Sequence, residues 1–465
     1  MRRPSYEYQP LQHDDSIRLL ILHPSPNESD PIACTIRHAQ LSSTARYPKV
    51  YPAFFTYEAV SYTWGYSTQW TAISFNNGKE ELSVGENCHA ALRRLRKPTA
   101  DRSIWIDAVC INQQDLTERS MQVRMMNEIY TRAIGIVVML SDQVPDCRLL
   151  LDEAIIVNNL LRHTDVIPRG RPTKAIIRQL EVLFEDPWFK RTWVLQEVYK
   201  KYQIVIMYGS ALIALPVLKQ ICYGYGNRKL TRGVLPRPLA LVWGSETEYS
   251  TPQFNLWNRL YESRECLASN PRDKVFALKS LLGHRQSEID NLIDYVQSVE
   301  QCFKRVAEFL LPVLGIRILA ATRHPHEMGM ASWIPDWSQD GPLQSTAFHF
   351  ESDKARMLGN MSMSATAGDY ERATKSCLYK DLPTGPELHV TGCRYARIVK
   401  SSQVFGFFDA EHAERQMQMV YNDFDNLRQR LQSRAKRKTT PFTLAHFGRK
   451  LFQGKGRSCA EYGGS

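Results

Sequence analysis

Between residues 55 and 210 the hydrophobic positions follow two alternating rhythms. Apolar runs at Tyr57–Tyr62, Ser103–Val109, Ile134–Leu140 and Tyr202–Tyr208 have the length of strands, and the unbroken run from 134 to 140 suits a central strand covered on both faces. Between them, Glu86–Leu95 and Thr117–Arg132 read as helices, the second from apolar positions at Val123, Met126, Ile129, Tyr130 and Ala133. Further helical segments are expected near 146–163 and 174–184, and Pro187 is placed to open a helix carrying Trp193 to Lys200. Strands alternating with helices predict an α/β fold with a mainly parallel sheet flanked by helices, and such sheets bind ligands at the carboxyl ends of their strands. The search for a site narrows to Ser61–Gly65, Asp107–Gln113 and the loops after residue 140.

The flanking regions read differently. Residues 1–50 are polar and turn-rich, a lead-in segment with one candidate strand at Ile17–Leu22. Residues 213–340 form a mostly helical extension that includes Pro271–Leu282 and Ser298–Leu311, and residues 341–425 are loop-rich around a strand at Leu388–Gly392. A long, increasingly basic helix is expected over Ala410–Arg437. The longest apolar run, Ile136–Leu140, falls far short of the roughly 20 residues of a membrane helix, so no transmembrane segment is expected. Acidic and basic residues interrupt the first twenty positions, which excludes a secretory signal and makes the expected location cytoplasmic.

Composition changes this picture in one respect. The chain of 465 residues is 43% hydrophobic, too apolar for a disordered protein, and its ten cysteines contain no Cys-x-x-Cys pair, so they read as buried small hydrophobes. The net charge of +11 would by itself suggest a nucleic-acid partner. Residues 426–465, however, hold ten Lys and Arg against one acid, so a basic C-terminal tail carries most of the excess and the remaining body is nearly neutral. Arg434–Lys438 reads as a solvated helix end, with nuclear import or contact with anionic lipid as alternatives. There is no phosphate-binding loop, zinc-finger spacing or RNA-recognition signature, and no metal ligand set.

Four ordered blocks give the chain a family resemblance. Tyr57-Glu58-Ala59-Val60-Ser61-Tyr62-Thr63-Trp64-Gly65, Ile104-Trp105-Ile106-Asp107-Ala108-Val109-Cys110-Ile111-Asn112-Gln113, Glu118–Val123 with Ile129-Tyr130, and Arg191-Thr192-Trp193-Val194-Leu195-Gln196-Glu197-Val198 together resemble the heterokaryon incompatibility (HET) domain of filamentous fungi, placed here at 55–212. Asn270–Leu278, Asp294-Tyr295 and Ser332–Ser338 resemble segments that commonly follow it. These proteins often continue into a glycine-rich β region, whereas this chain has a weak match at 388–400 and then the basic tail. The resemblance implies an intracellular effector of non-self recognition and programmed cell death, with self-association and an unidentified incompatibility or signalling partner. The HET domain is in turn similar to Toll/interleukin-1 receptor (TIR) domains, which implies a TIR-like, flavodoxin-like sheet. Some TIR-like domains cleave NAD with a glutamate on a helix after the third strand, often once assembled; Glu197 is the matching position. On that reading NAD is a substrate and no resident cofactor is expected. The alternative is a non-enzymatic signalling or self-association module.

The chemistry of these residues is compatible with that implication. Nicotinamide departs from NAD as a neutral molecule, so one carboxylate that steadies the developing oxocarbenium ion can suffice. Trp193 and Glu197, four apart, are expected on one helix face, whereas Arg191 should not share it and would bind a phosphate or a surface acid. The bland reading of Glu197 is an exposed acid paired with Lys200 or Lys201. Tyr62 and Trp64 would stack on a base or pack in the core, and Gly65 permits a sharp turn. Asp107 would cap the following turn, bind a ribose or meet a basic partner, and Asn112 and Gln113 offer amides to a ligand or to a turn. Cys110 invites a nucleophile reading that no nearby histidine supports.

Overall fold

A computed structural model describes residues 4–44, 55–65, 68–141, 148–163, 173–201, 203–209, 211–223, 235–244, 251–314, 318, 321, 330–331, 333–338, 377–382, 385–393 and 441–443. The strands are β1 (Ser16–Leu22), β2 (Ala33–Gln40), β3 (Glu58–Tyr62), β4 (Trp70–Phe75), β5 (Glu80–Gly85), β6 (Arg102–Trp105), β7 (Gly135–Met139), β8 (Ile204–Tyr208) and β9 (Ala211–Ala214). They form a nine-stranded sheet in the order β5-β4-β2-β1-β6-β3-β7-β8-β9. At its heart β6, β3, β7 and β8 run parallel, with Tyr62 opposite Met139 and Met139 opposite Met207. Numbered by position in the chain, these four stand in the order 2-1-3-4, a generic flavodoxin-like arrangement in which β3 flanks the topological switch point.

The sheet as a whole is mixed, which corrects the expectation of a mainly parallel one. β1 runs antiparallel to both β2 and β6, β4 pairs parallel with β2 and antiparallel with β5, and β9 turns back antiparallel on β8. Short links leave a strand no room for a crossover, so β9, which follows β8 after Gly209 in the left-handed region (φ 56), must return antiparallel. The β4–β5 hairpin turns at Asn76 (φ 51) and Asn77 (φ 57) before Gly78, a left-handed pair that asparagine tolerates. Residues 16–40 thus contribute two strands, and β1 is buried over nearly its whole length.

Helix α1 (Glu86–Leu95) packs near β3, β4 and β5, while α2 (Asp107–Cys110) is a single turn directly after β6. The expected strand over 103–109 therefore stops at Trp105: Ile106 is still extended, and Asp107 begins the turn. α3 (Leu116–Arg132) starts at Asp115, whose carboxylate accepts the amides of Thr117 and Glu118 as an N-cap. α4 (Arg148–His163) and α5 (Lys174–Phe184) match the expected helices. Pro187 opens only a 3-10 turn, Pro187–Lys190, and α6 (Val194–Val198) is a separate five-residue helix with Trp193 at its N-cap.

The extension supplies α7 (Leu215–Tyr223), α8 (Arg237–Trp243), α9 (Pro252–Glu262), α10 (Asp273–Phe276), a 3-10 segment at Lys279–Leu292 and α11 (Val299–Leu314). Leu256, Trp257, Phe276, Phe303 and Leu310 are fully buried there. Separately, β10 (Cys377–Leu382), β11 (Gly385–Cys393) and β12 (Pro441–Thr443) form an antiparallel three-stranded sheet, in which β11 contains the expected 388–392 strand. The helix expected over 410–437 and, apart from β12, the basic tail lie outside the described residues.

Candidate functional site

The carboxyl ends of the parallel strands gather most of the singled-out residues. Alternation along β3 sends Ser61 and Tyr62 to opposite faces of the sheet. Ser61, 1% exposed, donates its hydroxyl hydrogen to Glu197 Oε2 and accepts the indole N–H of Trp188 at 2.6 Å. Trp188 is delivered there by Asp186, whose carboxylate accepts the amide of Ser141 at the end of β7 and that of Trp188 itself, both at 2.9 Å. Arg191 completes the cluster: Nη2 donates to Glu197 Oε1 at 3.0 Å and Nη1 lies 3.4 Å from Oε2.

This geometry differs from a single helix carrying residues 191–197. Arg191 lies in an extended link (φ −71, ψ 138) between the 3-10 turn and α6, so its side chain can fold back onto Glu197. Trp193 turns the other way and donates its indole N–H to Asp273 Oδ2 at 3.0 Å, so it does not share a contact surface with Glu197. Glu197 is no surface acid. Its side chain is 2% exposed against 15% for Arg191, which makes this a nearly dry ion pair whose residual exposure lies on the arginine side chain.

A second pair forms the rim. Trp64, 43% exposed, donates its indole N–H to both oxygens of Asp107, at 3.0 and 3.1 Å. Asp107 Oδ1 also accepts the amide of the next residue, Ala108, at 2.7 Å, from the first position of α2 rather than from its N-cap, which is Ile106, and its carbonyl accepts the Gln113 amide at 2.9 Å. Burial pushes the Asp107 carboxyl up to about 6; the Arg191 charge opposes this and the Glu197 charge adds to it. Burial works against the charge on Arg191, and the Glu197 and Asp107 carboxylates overcome it, raising the guanidinium above its ordinary value. Two acids therefore share one arginine, and Asp107 holds its proton more tightly than usual.

Gly65 adopts φ +70, and a Cβ there would stand 2.7 Å from the Asn87 side chain, which itself donates to the Thr63 carbonyl. Glycine is what lets the chain turn sharply after Trp64. Tyr62 lies 4% exposed against Cys88 of α1, on the face away from Glu197, and burial lifts its phenol well above the ordinary value. Asn112 is occupied in a turn: its side-chain oxygen accepts the Gln114 amide, and its own amide donates to Glu118 at 2.7 Å. Cys110 is fully buried, with its thiol pushed up to about 12 by burial, which makes it a poor nucleophile. Among the described residues no group of three or more His, Cys, Asp or Glu could hold a metal ion.

Sequence reasoning brings Ser61 into the searched strand end without giving it a role, and it does not pick out Trp188. A polar residue inside an apolar strand is the signal for Ser61, whereas the partner of Trp188 lies 127 positions away and has no local signature.

Residues 57–197 match the family model described as Heterokaryon incompatibility protein (HET). The chain is 25% identical over 403 residues to "Heterokaryon incompatibility protein 6, OR allele" of Neurospora crassa, covering 69% of this chain and 58% of that protein, less than two thirds of its length. No solved structure gives a significant match. The protein is a HET-domain protein, homologous over part of its length to this Neurospora relative.

Proposed function

We propose that the protein is an intracellular effector of fungal non-self recognition and programmed cell death, and that its working site is the Glu197–Arg191–Asp107 cluster at the carboxyl ends of the parallel strands. The finer reading is TIR-like cleavage of NAD to nicotinamide and ADP-ribose. The observation that supports it is a nearly dry carboxylate beside the switch point, with an arginine at its mouth that could meet a phosphate and an exposed indole at the rim that could stack on a base. Glu197 would steady the positive charge developing on the ribose while nicotinamide leaves with the bonding electron pair. Water then adds to the sugar carbon and loses a proton to solvent. With Glu197 1% exposed, ribose can reach it only if Arg191 swings aside, a step that assembly of several copies would supply.

One observation favours a second reading. Both oxygens of Glu197 already have protein partners, as expected of an acid that pins a non-enzymatic signalling or self-association module. The deciding measurement is NAD consumption in cells expressing matched levels of wild type and Glu197→Gln. Loss of consumption with the fold retained supports catalysis. Intact NAD in cells that nevertheless die on wild-type expression overturns it in favour of the signalling module. A cytoplasmic or nuclear location is part of the same proposal; among the described residues no helix is long and apolar enough to cross a membrane.

A further inference from the structure

The HET family match ends at residue 197, yet the segment that carries Arg191 and Glu197 is held from outside that span. A five-residue helix cannot fix its own orientation, because nucleation costs more than so few hydrogen bonds return. Besides its packing on α3 and α8, the segment takes hydrogen-bonded restraints from residues 264–295. Leu267 forms a parallel bridge with Arg191: its carbonyl accepts the Thr192 amide at 2.8 Å, and its amide donates to the Lys190 carbonyl at 2.6 Å. The Thr192 hydroxyl donates to the same Leu267 carbonyl at 3.0 Å, and the Ser280 hydroxyl donates to the Leu195 carbonyl inside α6 at 3.3 Å.

Asp273, 6% exposed, stands at the centre of this grip. Its Oδ2 accepts the Trp193 indole and its Oδ1 accepts the Tyr295 hydroxyl at 2.6 Å, so each oxygen holds one side chain in a fixed direction. Tyr295 is in turn fixed by Arg119 of α3, 3.9 Å from its ring centre, by its own amide donating to Ser120 at 2.8 Å, and by its carbonyl accepting from Arg272 at 2.8 Å. An unbroken chain of contacts thus runs from α3 through Tyr295 and Asp273 to Trp193, the N-cap of the helix that presents Glu197.

We propose that Asp273 is a positioning residue for the Arg191–Glu197 pair, and that the extension over 264–295 is an integral part of the HET site rather than a separate appendage. The proposal rests on the reading of that pair as the working site. It assigns Asp273 and Tyr295, in segments with no role in the chemistry described above, the task of setting the angle of α6. Neither residue touches Glu197; they act through Trp193, four positions before it. A rotation of this short helix would move the carboxylate away from Ser61 and change the hydrogen bond that Ser61 accepts from Trp188.

The test uses the full-length chain with 15N-labelled tryptophan and compares wild type with Asp273→Asn and Tyr295→Phe. The indole N–H of Trp193 reports the altered contact itself, whereas those of Trp188 and Trp64 report the distant site. Positioning predicts that the Trp188 and Trp64 resonances shift along with that of Trp193 while circular dichroism stays unchanged. If only the Trp193 resonance moves, Asp273 is a local brace and the proposal fails. Should Asp273→Asn not fold, Tyr295→Phe removes just one of the two bonds to Asp273 and is read by the same resonances. If the site cleaves NAD, these variants also lower turnover by about a hundredfold, the order expected of an ångström-scale misplacement. Absence of NAD cleavage by wild type would end the catalytic reading and leave the resonances to judge the positioning role by themselves.

Discussion

Two of the molecule's buried Arg–Glu pairs are built to different standards. In the first, Arg18 of β1 is wholly buried and grips Glu118 of α3 with two bonds, at 2.6 and 2.9 Å. Nη1 and Nη2 also donate to the Cys110 and Gln9 carbonyls, Nε is buried without a hydrogen bond, the Tyr8 ring lies 4.9 Å away, and the Asn112 amide fills a further place on Glu118. In the second, Arg191 is 15% exposed, one of its contacts with Glu197 is long at 3.4 Å, and a second acid, Asp107, shares its field. A closed pair braces a fold, since breaking it strands a charge in the interior. A pair with residual exposure on its arginine and a surplus acid retains capacity for a ligand.

The largest effect expected from this contrast is at Glu118. Glu118→Ala leaves the Arg18 charge buried without a partner and should cost about 3–5 kcal/mol, read as a steep fall in melting temperature. A mild loss would mean that the two pairs are not different in kind. Glu197→Gln comes next, at about 2 kcal/mol, because Arg191 keeps some solvent and the neighbouring Asp107. Denaturant melts of the two variants side by side test that ranking, and equal losses would erase it.

Asp107 sharpens the comparison through pH. Its folded-state pKa of about 6 lies above the ordinary 3.8, so the folded protein holds the proton more tightly than the unfolded chain does. The contribution of Asp107 to stability is therefore undiminished below pH 3.8, falls as pH rises through about 6, and stays at its lowest above that. Asp107→Asn should leave the melting temperature unchanged near pH 3.5 and raise it modestly at pH 7; a loss at pH 7 would contradict the assignment. Smallest in stability is Trp64→Phe, which alters a 43%-exposed side chain and should cost less than about 1 kcal/mol. Because the indole N–H stabilises the ionised carboxylate, its removal should move the Asp107 titration upward, measured by carboxyl carbon NMR. A midpoint that stays in place would show that Trp64 does not govern the acid.

Much of this was legible along the chain, and the exceptions are physically informative. The parallel strands at 135–139 and 204–208 announce themselves because apolar side chains run without a polar break, and 58–62 does so because its apolar run from Ala59 is interrupted only by Ser61. β4 and β5 carry polar residues on half-exposed faces, so their pattern is faint, although Asn76-Asn77-Gly78 marks the hairpin between them. At the site, helical spacing misled in both directions. It paired Trp193 with Glu197 and separated Arg191 from it, because it assumed one continuous helix where the chain makes a 3-10 turn, an extended link and a single short helix. Asn112 sits at the expected mouth yet serves the Arg18–Glu118 brace, a partnership settled by groups on β1 and α3.

The sequence by itself determined what depends on neighbours in the chain: the α/β alternation, the blocks of the HET domain, and the arrival of Ser61 and Asp107 near the ends of parallel strands. Tertiary structure decided which charges meet. Glu197 faces Ser61 and Arg191 rather than Lys200 or Lys201, Tyr62 lies on the opposite face against α1, and Trp193 answers to Asp273 in the extension. The reason is that periodicity fixes the direction in which a side chain leaves its own element, whereas a hydrogen bond or ion pair depends on what stands opposite: for Trp193 and Ser61 that partner lies 80 and 136 positions away, and for Glu197 and Arg191, six apart, it depends on the break in the helix between them.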